Sequence, residues 1–401
     1  MLSVPEARAR ILALLAPTGG EIIPLAEAAG RVLAAPLIAR LTQPPNDVSA
    51  MDGFALRAAD SVIGARLRII GAAPAGHPFA GSVRPGEAVR LFTGSVVPAG
   101  ADCIIIQEEA EYDDTTVTLR EAGLPGKHIR GAGLDFAAGD TLLSPGRHLT
   151  ARDIGLAAAA NHPWITVHRK PVIAILATGD EIAMPGDPIP AGGIVSSNSH
   201  ALAAFVRANG GIPIILPIAP DDRTAIANAA ASASHADLLI TTGGASVGTH
   251  DLVQAGLSDI GLDVDFWKIA MRPGKPLMFG RLGNLPVLGL PGNPVSAMIC
   301  ALLFAKPAIE RLAGLPGTAP STDSARCTIA LSANDHRADH LRATIDRDAD
   351  GHWTVTPFGP QDSSMLRRLA RADAVVLRAP HAPATPAGTT VSIIRLAACG
   401  L

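Results

Sequence analysis

The sequence predicts a multidomain protein of the α/β and β classes: a doubly wound α/β domain, a Gly-rich β domain, a discontinuous α/β linker domain and a small barrel-like C-terminal β module. Three observations carry this. The chain has 401 residues, more than one ordinary core supports, so it divides into domains. It holds 40 Gly and 33 Pro against 3% aromatic residues, which implies tight turns, short strands and cores of Ala, Val, Ile and Leu. Apolar runs alternate with helical patterns only between residues 171 and 314, and such alternation specifies a parallel sheet wound on both faces.

Taken in order, residues 1–43 and 147–170 read as helix and strand pieces that come together as one supporting domain. The first fifteen residues place Glu6, Arg8 and Arg10 within an apolar pattern, an amphipathic helix rather than a signal peptide. Residues 44–146 carry short β-type runs at 67–70, 88–92 and 103–107, a compact β domain with long loops. In 171–314 the continuous apolar run 172–177 fits a strand covered on both faces. A helix over 199–209 is stopped by Gly210-Gly211, and an Ala-rich helix spans 222–234. Strands are expected at 212–216, 238–241 and 287–290. Asn293-Pro294 gives an N-cap and a first-turn proline to the helix that runs through Ile309. From 325 to 401, alternating runs at 327–331, 341–346, 353–357, 374–377 and 389–394 form the last module.

Composition excludes several function classes. The net charge is −3 with no basic tail, whereas nucleic-acid binding leaves a basic footprint. Apolar runs are shorter than a membrane span. Cys103, Cys300, Cys327 and Cys399 form no C-x-x-C pair, so neither a zinc site nor a disulfide framework is expected. The cytoplasm is the expected location.

Ligands of a doubly wound sheet bind beyond the carboxyl ends of its strands, and the loops there are unusual. They read Thr178-Gly179-Asp180-Glu181, then Thr241-Thr242-Gly243-Gly244-Ala245-Ser246-Val247-Gly248 with Asp251 behind, then Pro291-Gly292-Asn293-Pro294. Glycines expose backbone N–H groups, and several such loops on one sheet edge form an anion cradle. Lys268, Arg272 and Lys275 surround Pro273-Gly274; fixed cations on a rigid turn suit an oxyanion, though such clusters are also ordinary solvated faces. Asp52, Asp135, Glu181 and Asp251 lie beside glycines in loops. They are either turn formers or, if they converge near phosphates, Mg²⁺ ligands. Spacing leaves both open.

The ordered set Ser49-Ala50-Met51-Asp52-Gly53, Thr93-Gly94, Thr178-Gly179-Asp180-Glu181, Thr241-Thr242-Gly243-Gly244, Pro273-Gly274-Lys275-Pro276 and Gly289-Leu290-Pro291-Gly292-Asn293-Pro294 resembles the signatures of the molybdopterin molybdenumtransferases, the MoeA and gephyrin E-domain family. The resemblance implies four domains, the α/β one similar to the molybdopterin adenylyltransferase fold. It also implies an elongated homodimer whose active cleft lies between that domain and the β domain of the other subunit. The implied reaction converts adenylylated molybdopterin and molybdate into molybdenum cofactor and AMP, assisted by Mg²⁺. Molybdopterin adenylyltransferase and molybdoenzyme acceptors are the implied partners, with no nucleic acid and no membrane.

By position, the resemblance carries Asp52, Thr93, Asp135, Glu181 and Asp251 into catalytic roles, with Glu181 and Asp251 as metal ligands. It carries Thr178, Gly179, Gly243, Gly244, Ser246, Asp221, Lys268, Arg272, Pro273, Lys275, Pro291, Asn293 and Ser363 into substrate binding. Arg272 stands where the family commonly has Lys, and Leu134 replaces a frequent Glu. Asp362 and Ser364 replace Gly around Ser363, and Arg371-Ala372-Asp373 replaces a typical Ala-Asn-Gly turn. Competing readings are a gephyrin-type scaffold, a tungstate-using variant and a nucleotide-transfer enzyme.

Overall fold

The computed structural model describes residues 1–243 and 252–401; Gly244, Ser246 and Asp251 lie outside the described residues. The α/β domain is built on a six-stranded sheet. Its spatial order is Ile212–Ile215, Val172–Ala177, Leu238–Thr242, Leu285–Leu290, Met278–Leu282 and Leu262–Trp267. The first four strands are mutually parallel, Met278–Leu282 runs antiparallel to Leu285–Leu290, and Leu262–Trp267 runs antiparallel to Met278–Leu282. Side chains alternate across this sheet. Ile173, Ile175, Ile240 and Leu288 pack on one face against the helices Asn198–Ala208 and Pro294–Cys300. Ala174, Leu176, Leu239 and Val287 pack on the other, against Arg223–Ala231 and Leu252–Asp259. Burial on both faces is why these strands read as unbroken apolar runs.

The two strands Leu262–Trp267 and Met278–Leu282 were not expected, because the sequence between them reads as a cationic turn. The last helix also exceeds expectation. Pro294–Cys300 continues through a π-helical stretch, Ala301–Ala305, into Lys306–Leu312. Its middle is buried all round, so the rod runs through the core rather than over it.

The grouping of residues 1–43 with 147–170 is divided by the structure. The first helix, Val4–Ala13, is opened by a capping box between Ser3 and Glu6 and buries Val4, Ala7 and Ile11 in the α/β core. Thr18 N–H donates to Leu312 O at 2.8 Å. Only from Gly20 does the chain enter the supporting domain, where Gly20–Pro24 pairs with Trp164–His168 and Leu37–Ile38 with Thr141–Leu143. Its core joins Ile23, Leu33 and Leu37 to Leu149, Ala157 and Ile165.

The β domain holds a six-stranded sheet in the order Cys103–Ile106, Gly53–Leu56, Glu87–Leu91, Arg66–Ala73, Thr116–Leu119 and Ala110–Tyr112. The C-terminal module is a closed barrel. Ala338–Arg347 pairs with both Trp353–Pro357 and Ala374–Arg378, and Asp323–Cys327 and Thr390–Arg395 complete the ring. Its first strand ends where 327–331 was expected to begin. Met271–Arg272 adds to the barrel beside Ala338 and Asp339, tying it to the α/β domain. All four cysteines are free and buried. No helix among the described residues is long and apolar enough to cross a membrane.

Candidate functional site

The chain leaves Val172–Ala177 for the sheet edge at Ile212–Ile215, then returns past it to Leu238–Thr242. The strand order therefore reverses between 172–177 and 238–242, the crevice where open α/β sheets bind ligands. The loops there abut. Thr178 N–H donates to Thr242 O at 3.2 Å. Gly243 has φ +104°, and a Cβ on it would sit 2.4 Å from Thr178 O, so only glycine fits. Gly179 has φ +142°, and the Glu181 carboxylate lies 2.6 Å from where its Cβ would be. The carboxylate thus folds back over bare backbone.

Four further hydrogen bonds knit the walls. Asn198 Nδ2 donates to Thr242 Oγ1 at 2.8 Å and to Gly292 O at 2.7 Å. Asn293 Nδ2 donates to Ser363 Oγ at 2.9 Å, and Val295 N–H donates to Ser363 O at 3.1 Å. The barrel loop is thereby laid across the start of the long helix. Asn293 stands at the N-cap position but makes no side-chain cap bond; its amide is spent on Ser363 instead. Together these elements enclose a cleft of about 680 Å³ lined by Glu181, Asn198, Thr242, Gly243, Pro291, Asn293 and Ser364 among others, a size that suits a small organic ligand. Thr178 is 1% exposed, and its hydroxyl has no hydrogen-bond partner among the described residues.

Acids gather at one end. Asp221 N–H donates to Asp180 Oδ1 at 3.0 Å. Burial, then the negative charges of Asp180 and Glu181, push the Asp221 carboxyl above its ordinary value. The expected cations lie on a turn beside the cleft. The turn doubles back through Lys268 N–H to Leu277 O and Ile269 N–H to Lys275 O, both 3.0 Å, and touches the cleft at Pro276. Lys268, at φ +75°, lays its ammonium 4.1 Å from the Trp267 ring centroid. Lys275 makes no ion pair among the described residues.

Arg272 is engaged within the chain. Its Nε and Nη2 grip the two oxygens of Asp339 at 2.7 and 2.5 Å, and Asp335 lies 3.7 Å from Nη1. That charge is met within the chain and fastens the barrel. Pro273 follows it, and neither lines the cleft. Gly274 has φ +111° and packs where a Cβ would be 2.5 Å from Cys300 Sγ. Burial pushes that thiol up, so it serves as neutral packing.

Asp52, Thr93 and Asp135 belong to the β domain and do not line the cleft within one chain. Asp52 Oδ1 accepts from both the backbone N–H and the hydroxyl of Thr93, each at 2.7 Å. These two bonds hold its carboxyl below the ordinary value, with a smaller contribution from Arg90. Gly53 beside it is obligatory, since a Cβ there would stand 2.1 Å from Ile105 O. Asp135 is exposed, and its N–H donates to Gln43 O at 3.0 Å.

Residues 2–161 match the MoeA N-terminal region (domain I and II), 174–311 a probable molybdopterin binding domain, and 324–396 the MoeA C-terminal region (domain IV). A molybdopterin molybdenumtransferase of Haemophilus influenzae is 34% identical over 98% of both chains. The molybdopterin molybdenumtransferase 2 of Mycobacterium tuberculosis is 37% identical over 94% of this chain and 95% of its own. The chain belongs to the molybdopterin molybdenumtransferase family. It is therefore a transferase of molybdenum cofactor biosynthesis. Two crystal structures of the molybdopterin biosynthesis MoeA protein from Pyrococcus horikoshii superpose with TM-scores of 0.86 and 0.82 at 26% and 25% identity, each over 98% of this chain and 99% of theirs.

Sequence reasoning missed Asn198, Thr242 as a side chain, and Arg342. Asn198 reads only as the start of a helix. Arg342 lies mid-strand and is fully buried. Its backbone and the Gln361 amide hold each other at 3.0 Å both ways, and its Nη2 donates to Asp362 O at 3.1 Å. It thus shapes the loop that delivers Ser363. Burial lowers its pKa. Nothing in a strand read from alternation marks one inward arginine.

Proposed function

We propose that this chain inserts molybdenum from molybdate into adenylylated molybdopterin and releases AMP, with Mg²⁺ assisting, and that it works as a homodimer. The observation that carries this reading is the switch-point cleft, walled by glycine backbone, Glu181, Asn198, Thr242 and the barrel's Ser364, with Asp180 and Asp221 close to Glu181 and, on the adjoining turn, Lys275, which forms no ion pair among the described residues. Backbone N–H groups at the glycine loops that are not already bonded within the chain would donate to phosphate oxygens. Lys275, and Lys268 beside it, offset the anionic charge of molybdate and the pterin phosphate. The Asn293–Ser363 bridge fixes the wall against which the substrate is oriented.

The acids fit Mg²⁺. Asp180, Glu181 and Asp221 are hard oxygen donors; burial and then the charges of the first two raise Asp221's hold on a proton, and a cation relieves that repulsion. Magnesium needs only one or two carboxylates when substrate phosphates supply other ligands. Glu181, which lines the cleft, would hold it, with Asp251 the partner expected from sequence. When bound, the ion would polarise the phosphoanhydride as a Lewis acid. The chain's thiols are buried, so the sulfur ligands of molybdenum come from the substrate. Asp52, Thr93 and Asp135 of a second subunit would close the site from the open side.

The test is to incubate the purified chain with adenylylated molybdopterin, molybdate and Mg²⁺, then measure AMP by chromatography and cofactor by activation of a cofactor-free molybdoenzyme. Both signals are expected. Absence of both overturns the reading, and adenylylation of metal-free molybdopterin from ATP would replace it with nucleotide transfer.

A further inference from the structure

A second cleft, of about 620 Å³, opens where the supporting domain, the α/β domain and the C-terminal tail meet. It shares no residue with the first. Its walls carry Arg31, Arg169, Lys170, Arg207 and Lys306 against one acid, Glu310, in a chain whose net charge is −3. Three of these cations are already answered. Arg31 pairs with Glu21, Lys306 pairs with Glu310, and Arg169 holds Asp237 with two bonds of 2.7 and 2.9 Å. Their positions are therefore fixed. Lys170 and Arg207 are exposed and form no ion pair among the described residues.

Arg207 also stands in the last turn of Asn198–Ala208, where a cation meets the carbonyl end of the helix. That explains one charge and leaves Lys170, on a separate segment facing the same space. Concave walls with one sign of charge concentrate counter-ions, and the enclosed volume is that of a small-molecule site rather than a track for a polymer.

We propose that this junction binds a small phosphate-bearing molecule, its phosphate held between Lys170 and Arg207 and its organic body against the apolar part of the walls. Because three separate parts of the chain build the site, occupancy favours the arrangement in which they are joined, and the ligand raises the melting temperature by mass action. The inference does not depend on the reaction proposed for the first cleft.

The experiment is calorimetric titration of the full chain with ribose 5-phosphate and, separately, inorganic pyrophosphate, at low and physiological salt. We expect saturable binding that weakens with salt and falls at least about tenfold in Lys170→Ala/Arg207→Ala. Both side chains are exposed, so that variant should melt like the wild type without ligand; Lys170→Glu/Arg207→Glu should abolish binding. Asn293→Ala, in the other cleft, should keep wild-type affinity. Preference for ribose 5-phosphate supports the organic phosphate, and preference for pyrophosphate supports a bare phosphate at the same site. No saturable heat from either probe overturns the proposal. So does a double variant that binds like the wild type, or loss of binding in Asn293→Ala.

Discussion

Asn293 illustrates how a position and a side chain can serve different ends. Its place before Pro294 reads as an N-cap, yet its amide reaches Ser363 at 2.9 Å and caps nothing. Asn293→Ala should therefore change stability by less than the ~1 kcal/mol that a lost cap costs. It should lower kcat/KM for AMP release by about tenfold, the weight of one oriented hydrogen bond. Ser363→Ala should do the same, and the double variant should be no worse than either alone, since both remove one contact. Additive losses would show that the two residues act separately. The cations separate in the opposite way. Arg272 is half exposed and bound to Asp339, so Arg272→Ala should cost about 1 kcal/mol in denaturant unfolding with little change in the molybdate requirement. Lys275→Ala should raise the KM for the anionic substrates and leave stability near wild type. A raised molybdate requirement in Arg272→Ala alone would return that residue to the site.

At the scale of elements, local signals predict local structure well where they are not overruled by what packs on them. The helix Ala151–Ala159 is an example: Thr150 N–H and Oγ1 donate to Asp153 Oδ2 at 2.7 and 2.6 Å, and Arg147 Nε reaches its other oxygen at 3.0 Å. Burial pushes the Asp153 carboxyl up, but the Thr150 hydroxyl and N–H and the Arg147 guanidinium together bring it down to about 2. A depressed carboxylate stabilises the fold above its unfolded value and loses that contribution as pH falls through the folded one. Asp153→Asn should thus cost about 2 kcal/mol at pH 7, and the difference from wild type should shrink between about pH 4 and pH 2 in urea unfolding. A pH-independent difference would assign the loss to packing. The same contrast decides what was legible. Strands 172–177, 238–242 and 285–290 announce themselves because both faces are buried. The antiparallel pair Leu262–Trp267 and Met278–Leu282 does not, since Asp263, Asp265 and Arg281 interrupt it and the turn between is rich in cations. Nor does sequence show that Val4–Ala13 docks on a core formed some 200 residues later, because tertiary partners leave no local trace. In the site, the glycine loops were legible by composition; the fate of Arg272 was not, because its partner Asp339 lies in another module.

The molecule as a whole separates two halves of its expected chemistry. The cleft with Glu181 lies in the α/β domain, while the Asp52–Thr93 pair is presented by the β domain and takes no part in that cleft within one chain. Glycine is forced on both: at Gly53 by Ile105 O and at Gly243 by Thr178 O. Each half is built to a tolerance that a loose surface would not need. A two-fold dimer is the most economical way to bring them together, because one contact placed twice completes two sites. This makes a sharp prediction for mixed subunits. Asp52→Ala and Glu181→Ala should each be inactive alone. Unfolded together and refolded, half of the dimers should be mixed, and in each mixed dimer one site joins two damaged halves while the other joins two intact ones, so activity should return to about a quarter of wild type. Sedimentation of the refolded mixture checks that dimers form. If each subunit carries its own complete site, mixing restores nothing whatever the oligomeric state, and the Asp52–Thr93 pair must then be assigned to the stability of the β domain instead.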